Sequence, residues 1–472
     1  MPHGISSVLI PIAVILLAAA TKKIIPSLIA GLLMGGFLLA GGNVINGMTQ
    51  VSDHLIKSAA NEESICIIFF LFLFGSFAEI MKVSGGIKGF TKLTQRFVKT
   101  ERGALGAVWA VTPVTFIDCC FHDISAGTVG KALIDKVNGN RRKLAFVLNV
   151  TSSLLLTLIP FGTTYVGYIM GLITAALAKT NTVQTAYGLY LESIPYNFFS
   201  ILMILISIGV TLFNLGFKKE FKAVEGDSQF ETEHWQNEAH EQCSFEENAP
   251  PRPLNLILPL SLLILTTFFF LWLTGRGSGG DIWNAFLHAD FEKSIFISSF
   301  LTIALTSVYY LSQKMPLREI ESHFLSGGAE MLPPIVVLIL SWGLSAIIGD
   351  LGFASVITGF AAHVPKFLIP ASIYLTCCFT SYFMGSAWGT WALIMPMAIS
   401  LAVSAGLNLP LIVGAVLGGG ALGDNASPLG ETAILSSTIA ELPLMEHVKS
   451  QLPYSLAGVA VSAALYIAAA FI

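Results

Sequence analysis

Long apolar runs separated by short polar stretches dominate this chain. An α-helix needs about 20 mostly apolar residues to cross a hydrocarbon core of about 30 Å. Runs close to that length occur at residues 8–20, 24–40, 65–77, 254–272, 295–311, 334–348 and 452–472. They lack the alternation of apolar and polar residues that marks the strands of a membrane β-barrel. The pattern therefore predicts an all-α polytopic membrane protein.

Interruptions of these runs recur in the same order in the two halves of the chain. Residues 83–85 align with 350–352, residues 120–128 with 382–390, and residues 159–163 with 427–431. Internal duplications of this kind are typical of secondary transporters. We therefore expect a first membrane repeat at residues 1–217 and a second at 253–472. The acidic segment between them, 218–252, has the polar composition of a flexible linker.

Basic residues cluster at 82–102 and 131–143, which the positive-inside rule assigns to the cytoplasm. The stretches 103–117 and 124–134 between them are each short for a full span, so they predict a re-entrant hairpin. A second hairpin is expected at 367–404, entering from the opposite side. Counting spans then predicts two inverted repeats of about five transmembrane helices plus a hairpin each, with broken helices at the midplane. The linker would be cytoplasmic, and both termini would lie outside.

Composition narrows the class of protein. The chain is 54% hydrophobic and only 11% charged, and its mean hydropathy is +0.74, whereas soluble domains carry about 25% charged residues. The six cysteines show no metal-binding spacing, and most lie in apolar runs, where cysteine behaves as a small hydrophobic residue. No nucleophile–base pair is evident, so an enzyme is not expected. We expect a multi-pass protein of the bacterial inner membrane.

Ionisable residues mark the tip of the first predicted hairpin. Asp118, His122 and Asp123 fall within six residues of one another in apolar surroundings. Desolvation and neighbouring like charge both favour the neutral form of a carboxyl group, so cation uptake there would release protons. Ionisable groups at membrane depth are functional by default. The alternative is an exposed loop between two full spans.

A second acidic motif lies in the most apolar third of the chain. Residues 423–432 read Gly-Asp-Asn-Ala-Ser-Pro-Leu-Gly-Glu-Thr. The Ser-Pro pair predicts a break in a spanning helix, and the side chains around it offer oxygen ligands that suit hard cations. The candidates are Asp424, Asn425, Ser427, Glu431 and Thr432. The alternative is a capped helix start in a loop.

Two less specific motifs complete the candidate set. A Pro-Phe-Gly break at residues 160–162 would free carbonyl and amide groups for ligands, although it could equally be a packing kink. Its neighbouring candidates are Asn149, Thr163 and Thr164. The tip of the second hairpin contributes Ser386 and Thr390, for which close helix packing by small residues is the alternative.

These motifs resemble those of the NhaC-type sodium/proton antiporter family, within the larger ion-transporter superfamily. The resemblance rests on residues 118–128, 133–136, 142–145, 385–390, 423–428 and 451–454, and it extends over residues 5–472 apart from the linker. It implies a secondary transporter with inverted repeats, paired hairpins and sodium/proton exchange. Some members of the family instead exchange malate for lactate or carry amino acids.

The chain also departs from the family pattern. The family usually has two adjacent acids where this chain has Asp118 and Cys119, an aspartate where it has Glu431, and often an acid where it has Asn149. Fewer fixed anions leave room for an organic substrate. Two hypotheses therefore stay open: a sodium/proton antiporter working by alternating access, and a sodium- or proton-coupled carrier of a small organic anion or amino acid.

The first hypothesis makes Asp118, Asp424 and Glu431 transient sodium ligands, with Asp123 as a further cation or proton ligand. The expected partners are Na⁺, H⁺ and the lipid bilayer, with a small organic substrate and a homodimer left open. Neither a cofactor nor a nucleic acid is expected. A channel is the less favoured class, because acids at two helix breaks suit binding and release better than free flow.

Overall fold

The computed structural model describes residues 6–94, 98–178, 180, 184–213, 216, 250–278, 285–286, 288–353, 356, 359 and 364–471. Within these residues the chain forms helices and no strands. Eight helices are long and apolar enough to cross a membrane, and up to ten if each of two bent pairs counts as one span. The prediction of an all-α, multi-pass membrane protein is thus confirmed. The predicted linker lies outside the described residues, except for 250–252.

The first half of the chain contains eleven of the described helices. They are α1 Ser6–Thr21, α2 Ile24–Leu39, α3 Val44–Ala59, α4 Glu62–Val83, α5 Gly86–Thr94, α6 Glu101–Val111, α7 Cys119–Lys136, α8 Arg141–Asn149, α9 Thr164–Leu177, α10 Ala186–Ser193 and α11 Phe198–Phe213. The helix α3, which the apolar runs did not predict, bends away from α2 by 119°.

The second half contains nine described helices. They are α12 Leu254–Gly275, α13 Phe291–Ser312, α14 Leu317–Glu330, α15 Leu332–Asp350, α16 Ile369–Met384, α17 Ala387–Ala405, α18 Leu409–Ala426, α19 Glu431–Ile439 and α20 Leu444–Ala469. The polar helix α14 was also not predicted. It crosses α4 where Gly75 meets Gly327, so closely that a Cβ on Gly75 would lie 2.3 Å from the Gly327 carbonyl oxygen.

Helices recur at a nearly constant interval along the two halves. The starts of α6 and α16, of α7 and α17, and of α8 and α18 are each 268 residues apart, and those of α9 and α19 are 267 apart. This is the order that a duplication predicts. The alignment of residues 120–128 with 382–390 uses an offset of 262, which is six residues less than the offset of the helix starts. The opposite orientation of the two halves in the membrane stays a prediction, and so does the re-entrant course of the first hairpin. The two legs of the second hairpin, Lys366–Met384 and Ala387–Ala405, are each long and apolar enough to cross a membrane, which favours two full spans there.

The helix α18 is the enclosed centre of the described structure. The span that contains it, Leu409–Ile439, is 89% buried over its most apolar window, the highest share of any candidate span. Glycines allow its neighbours to approach. A Cβ on Gly420 would lie 2.2 Å from the indole nitrogen of Trp391, and one on Gly423 would lie 2.4 Å from the carbonyl oxygen of Ser381. Polar side chains on α18 therefore face protein and not lipid.

Candidate functional site

Regular helix ends at both of the breaks that the sequence predicts. After α8 the chain forms a π-turn at Val150–Leu154 and a 3₁₀ turn at Leu156–Leu158, and α9 begins only at Thr164. In the second half, α18 ends at Ala426 and α19 begins at Glu431. Such half-helix ends present carbonyl and amide groups that the helices themselves do not use.

The tip of the first hairpin is joined to the first break. Asp118 caps α7, and its Oδ1 accepts hydrogen bonds from the backbone amides of Cys120 (3.0 Å) and Phe121 (3.1 Å). Its Oδ2 accepts a hydrogen bond from the Thr164 hydroxyl at 3.0 Å. The Thr163 hydroxyl oxygen caps α9 by accepting from a backbone amide. Two of the predicted ligands, Asp118 and Thr164, are therefore in direct contact.

The tip of the second hairpin meets the second break in a corresponding way. Ser386 caps α17 and also accepts, through its carbonyl oxygen, a hydrogen bond from the Thr390 hydroxyl. The backbone amide of Ala387, the first residue of α17, donates to Asp424 Oδ1 at 3.0 Å. Ser427 ends α18 and its hydroxyl oxygen accepts from the Leu429 amide. Local capping thus uses the hydroxyls of Ser386, Thr390 and Ser427, while Asp424 reaches across to the hairpin.

Asp424 is enclosed by aromatic residues. It is the sixteenth residue of the 31-residue span Leu409–Ile439 and is only 3% exposed. Its Oδ2 accepts a hydrogen bond from the Tyr165 hydroxyl at 3.0 Å. The Tyr165 ring contacts those of Trp388 and Trp391, with centroid distances of 4.8 Å and 5.3 Å. Tyr165 was not predicted as a site residue, although it directly follows the predicted ligand Thr164 at the start of α9.

His122 and Asp123 do not share partners with Asp118. The His122 ring is buried between two hydroxyls, with Nδ1 at 2.7 Å from Thr115 Oγ1 and Nε2 at 2.9 Å from Thr151 Oγ1. Asp123 is fully buried, and its Oδ1 accepts from the Ser436 hydroxyl at 3.1 Å. Its Oδ2 has no hydrogen-bond partner. The three residues therefore have different partners and do not form one cluster by direct bonds, although Thr151 beside His122 and Ser152 beside Asp123 belong to the same π-turn.

Glu431 is the common neighbour of the other acids. It lies within electrostatic range of Asp118, Asp123 and Asp424. Its Oε1 accepts a hydrogen bond from the Cys120 thiol at 3.1 Å. Unlike the other three acids, Glu431 is exposed. Because a carboxylate on a spanning segment does not face lipid without a large cost, we infer that it faces an aqueous crevice.

Asn149 ties the first broken helix to the second. Its Nδ2 donates to the Asn425 carbonyl oxygen at 2.8 Å, and its Oδ1 accepts from the Thr432 hydroxyl at 3.1 Å. Gln451 on α20 also donates to the Asn425 carbonyl oxygen, and His447 Nε2 lies 3.2 Å from Asn149 Nδ2. His447 and Gln451 were not predicted as site residues. These contacts hold the two breaks against each other.

The four acids are not neutralised by basic residues. Among the described residues, no lysine or arginine forms an ion pair with any of these carboxyl groups. The nearby basic group is Lys82 on α4, which is 8% exposed and pairs with Glu79 (2.8 Å) and Glu330 (3.7 Å). The site therefore carries a surplus of acidic groups.

Comparison with known proteins identifies the family. The sequence profile of the Na⁺/H⁺ antiporter family matches residues 155–471. The chain belongs to this family. The matched region includes Asp424 and its hydrogen-bond donor Tyr165, and all the site residues that lie in the second half of the chain. Asp118, His122, Asp123 and Asn149 lie before it. Because the family and its relatives are antiporters, the expectation that this chain is not an enzyme is confirmed.

Three individual relatives are similar to this chain over different lengths and carry different names. The chain is 26% identical to an uncharacterized protein of Haemophilus influenzae over 455 residues, which are 93% of this chain and 86% of that protein. It is 27% identical to the Malate-2H(+)/Na(+)-lactate antiporter of Bacillus subtilis over 192 residues, 40% of each chain. It is also 27% identical to the Na(+)/H(+) antiporter NhaC of Bacillus subtilis over 174 residues, 36% of this chain and 38% of that one.

The fold has solved counterparts among transporters. The chain resembles MtrF of Neisseria gonorrhoeae, which is described as one of a class of antimetabolite efflux pumps, with a TM-score of 0.56 over 90% of this chain and 85% of that one. The two sequences are 14% identical. At that identity the likeness shows the fold alone.

Proposed function

We propose that the protein exchanges sodium ions for protons by alternating access, with Asp118, Asp123, Asp424 and Glu431 as shared ligands. The observation that carries this proposal is four acids without basic counter-ions at the meeting point of two broken helices and two hairpin tips. An uncompensated charge at membrane depth costs several kcal/mol. A buried acid with an oxygen that lacks a donor, such as Asp123, is therefore more stable when it holds a proton or a cation, and competition between the two would couple their movements.

The contacts suggest different tasks for the acids. Glu431 is exposed and so is the first to meet an incoming cation. Asp424 has a donor on each oxygen, Tyr165 on one and Ala387 on the other, which fixes its orientation. Asp123 keeps one oxygen without a donor, and that oxygen is free to bind a proton or a cation. We propose that the ion passes from Glu431 to the buried acids as the halves rearrange.

A sodium-pulse experiment tests the proposal. The purified protein is placed in proteoliposomes that contain a pH-sensitive dye, and external sodium is compared with choline. Sodium alone should change the internal pH. Glu431→Gln should abolish that response, while Asp350→Asn should leave it intact, because Asp350 is an exposed acid paired with His54 at the end of α15. Equal responses to sodium and choline, or full activity in Glu431→Gln, would refute sodium/proton exchange at this site.

An organic anion is the second candidate substrate, and Lys82 is the observation that favours it. Lys82 is buried and within electrostatic range of Cys120, while its partner Glu330 lies within range of Asp118 and Glu431. An ammonium group beside a cation site could hold the carboxylate of a substrate that travels with the cation. The similarity to an antiporter named for malate and lactate agrees with this candidate.

The two candidates predict different responses to organic acids. Thermal stability of the purified protein is measured with a panel of small carboxylic acids and amino acids, each with sodium and with choline. A carrier of organic anions should be stabilised by at least one compound, and Lys82→Met should remove that effect. Stabilisation by sodium alone, with no effect of any compound, would reject the second candidate and favour the first.

A further inference from the structure

Two thiols stand beside the acids at the tip of the first hairpin. Cys119 and Cys120 are the first residues of α7, and their sulfur atoms are 3.9 Å apart. The two sulfurs and a carboxylate oxygen of Asp118 all lie within 4.8 Å of one another. The Cys120 sulfur is also 3.1 Å from Glu431 Oε1. Two thiols and two carboxylates from two separate segments therefore converge.

The spacing suits a tetrahedral metal ion. Zinc–sulfur bonds of about 2.3 Å at a tetrahedral angle place two sulfurs roughly 3.8 Å apart, which is close to the 3.9 Å observed. Sulfur and carboxylate ligands of one zinc ion lie about 3.6 Å apart on the same geometry, so the 3.1 Å from Cys120 to Glu431 needs only a small adjustment. The ligand atoms are already gathered without a large movement of either helix.

The surroundings support binding of a cation. Backbone amides of α7 and the Thr164 hydroxyl orient the Asp118 carboxylate, which is the usual task of groups around a metal ligand. Lys82 lies within electrostatic range of Cys120 and would offset part of the negative charge that forms when the thiols lose their protons. Glu431 is exposed and Cys120 is partly exposed, so an ion can reach the group.

The ligand chemistry differs from that of a sodium site. Thiolates bind zinc and other soft or borderline metal ions, whereas sodium and magnesium prefer oxygen. We propose that Asp118, Cys119, Cys120 and Glu431 form a binding site for a thiophilic divalent cation such as Zn²⁺. Because it joins α7 to α19, a bound ion would hold the hairpin tip against the second break. Its effect on transport rests on the proposed function, but its binding does not.

Zinc binding to the purified full-length protein tests the site directly. Calorimetric titration with Zn²⁺ under reducing conditions should show one site per chain, with no comparable signal from Mg²⁺. The double variant Cys119→Ser/Cys120→Ser should bind at least tenfold more weakly. The matched control is Cys377→Ser/Cys378→Ser, which alters the chain's other adjacent cysteine pair, on α16, and should bind like the wild type. Absence of the site, or equal binding by the two double variants, would overturn the inference.

A second measurement covers the case in which the double serine variant does not fold. In the wild-type protein, Zn²⁺ should slow alkylation of the partly exposed Cys120, measured by mass spectrometry, without slowing that of the half-buried Cys66. Equal alkylation with and without Zn²⁺ would contradict the site.

Transport separates this inference from the proposed function. In proteoliposomes Zn²⁺ should inhibit sodium/proton exchange by the wild type and lose most of that effect in Cys119→Ser/Cys120→Ser, each compared with its own rate without zinc. Zinc binding at these cysteines without any sodium/proton exchange would refute the proposed function alone. Exchange without zinc binding would refute this inference alone.

Discussion

Replacing Asp424 by asparagine separates the charge of this residue from its shape. In the wild type, Tyr165 donates to one carboxylate oxygen and the Ala387 amide donates to the other. An asparagine can keep both contacts, because its oxygen accepts from Ala387 and its NH₂ group donates to the Tyr165 oxygen, which both accepts and donates. The variant should therefore fold, and its melting temperature should stay within a few degrees of the wild type.

The loss of charge should nevertheless abolish sodium coupling. Two unit charges about 4 Å apart interact by about 4 kcal/mol at an effective dielectric constant of about 20. Since 1.36 kcal/mol corresponds to a factor of ten, losing one such ligand lowers sodium affinity roughly a thousandfold. The assay is the half-saturating sodium concentration for exchange in proteoliposomes, with melting temperature as the control for folding. An Asp424→Asn protein with wild-type half-saturation would show that Asp424 does not bind the ion.

Three further variants test a buried acid, a close helix contact and a surface ion pair. Asp123→Asn should stop exchange while its melting temperature stays within a few degrees of the wild type, because the amide keeps the shape of the buried side chain but cannot take up a proton or hold a cation by charge; exchange at the wild-type rate would contradict this. Gly75→Ala should destabilise by about 1–3 kcal/mol or more, because α14 leaves no room for a Cβ, whereas Gly106→Ala, with open space around it, should be neutral or slightly stabilising. The hydrogen bond from Lys131 holds the pKa of Glu441 below its usual value of 4.5, so this carboxylate stabilises the fold above that pH and loses its effect as the pH falls. Glu441→Gln should therefore lower the melting temperature at neutral pH but not at low pH, and an equal effect at both would count against the pairing.

The sequence predicted the spans and the breaks because both have local causes. An apolar run long enough to cross a bilayer has few alternatives to a helix, and proline and glycine weaken a helix locally. They do not always end it, since α1, α12, α17 and α20 each contain an internal proline. The break at residues 427–430 was visible because it contains both a proline and a glycine. The polar helix α14 was not, since four of its fourteen residues are charged. It is held by close contact of Gly327 with Gly75, which no local pattern reveals.

The site was only partly predictable because its contacts join distant parts of the chain. Tyr165 was missed since its partner Asp424 lies 259 residues away. The expectation that His122 and Asp123 act together assumed that neighbours in sequence share surroundings. Consecutive residues on a helix with 3.6 residues per turn point about 100° apart, and these two side chains accordingly have different hydrogen-bond partners, Thr115 and Thr151 for His122 and Ser436 for Asp123.

Two of the contacts made by the second-half acids come from the first half of the chain. Tyr165 on α9 donates to Asp424, and Cys120 on α7 donates to Glu431. A motion that moved α9 away from α18 would remove a donor from Asp424, and one that moved α7 away from α19 would do the same for Glu431. A buried anionic carboxylate such as that of Asp424 is strongly destabilised when it loses a donor, so it would take up a proton or a cation, whereas the exposed Glu431 could replace the lost donor by water. In the proposed exchange, the hydrogen bond from Tyr165 would therefore link the arrangement of the two halves to the occupancy of Asp424.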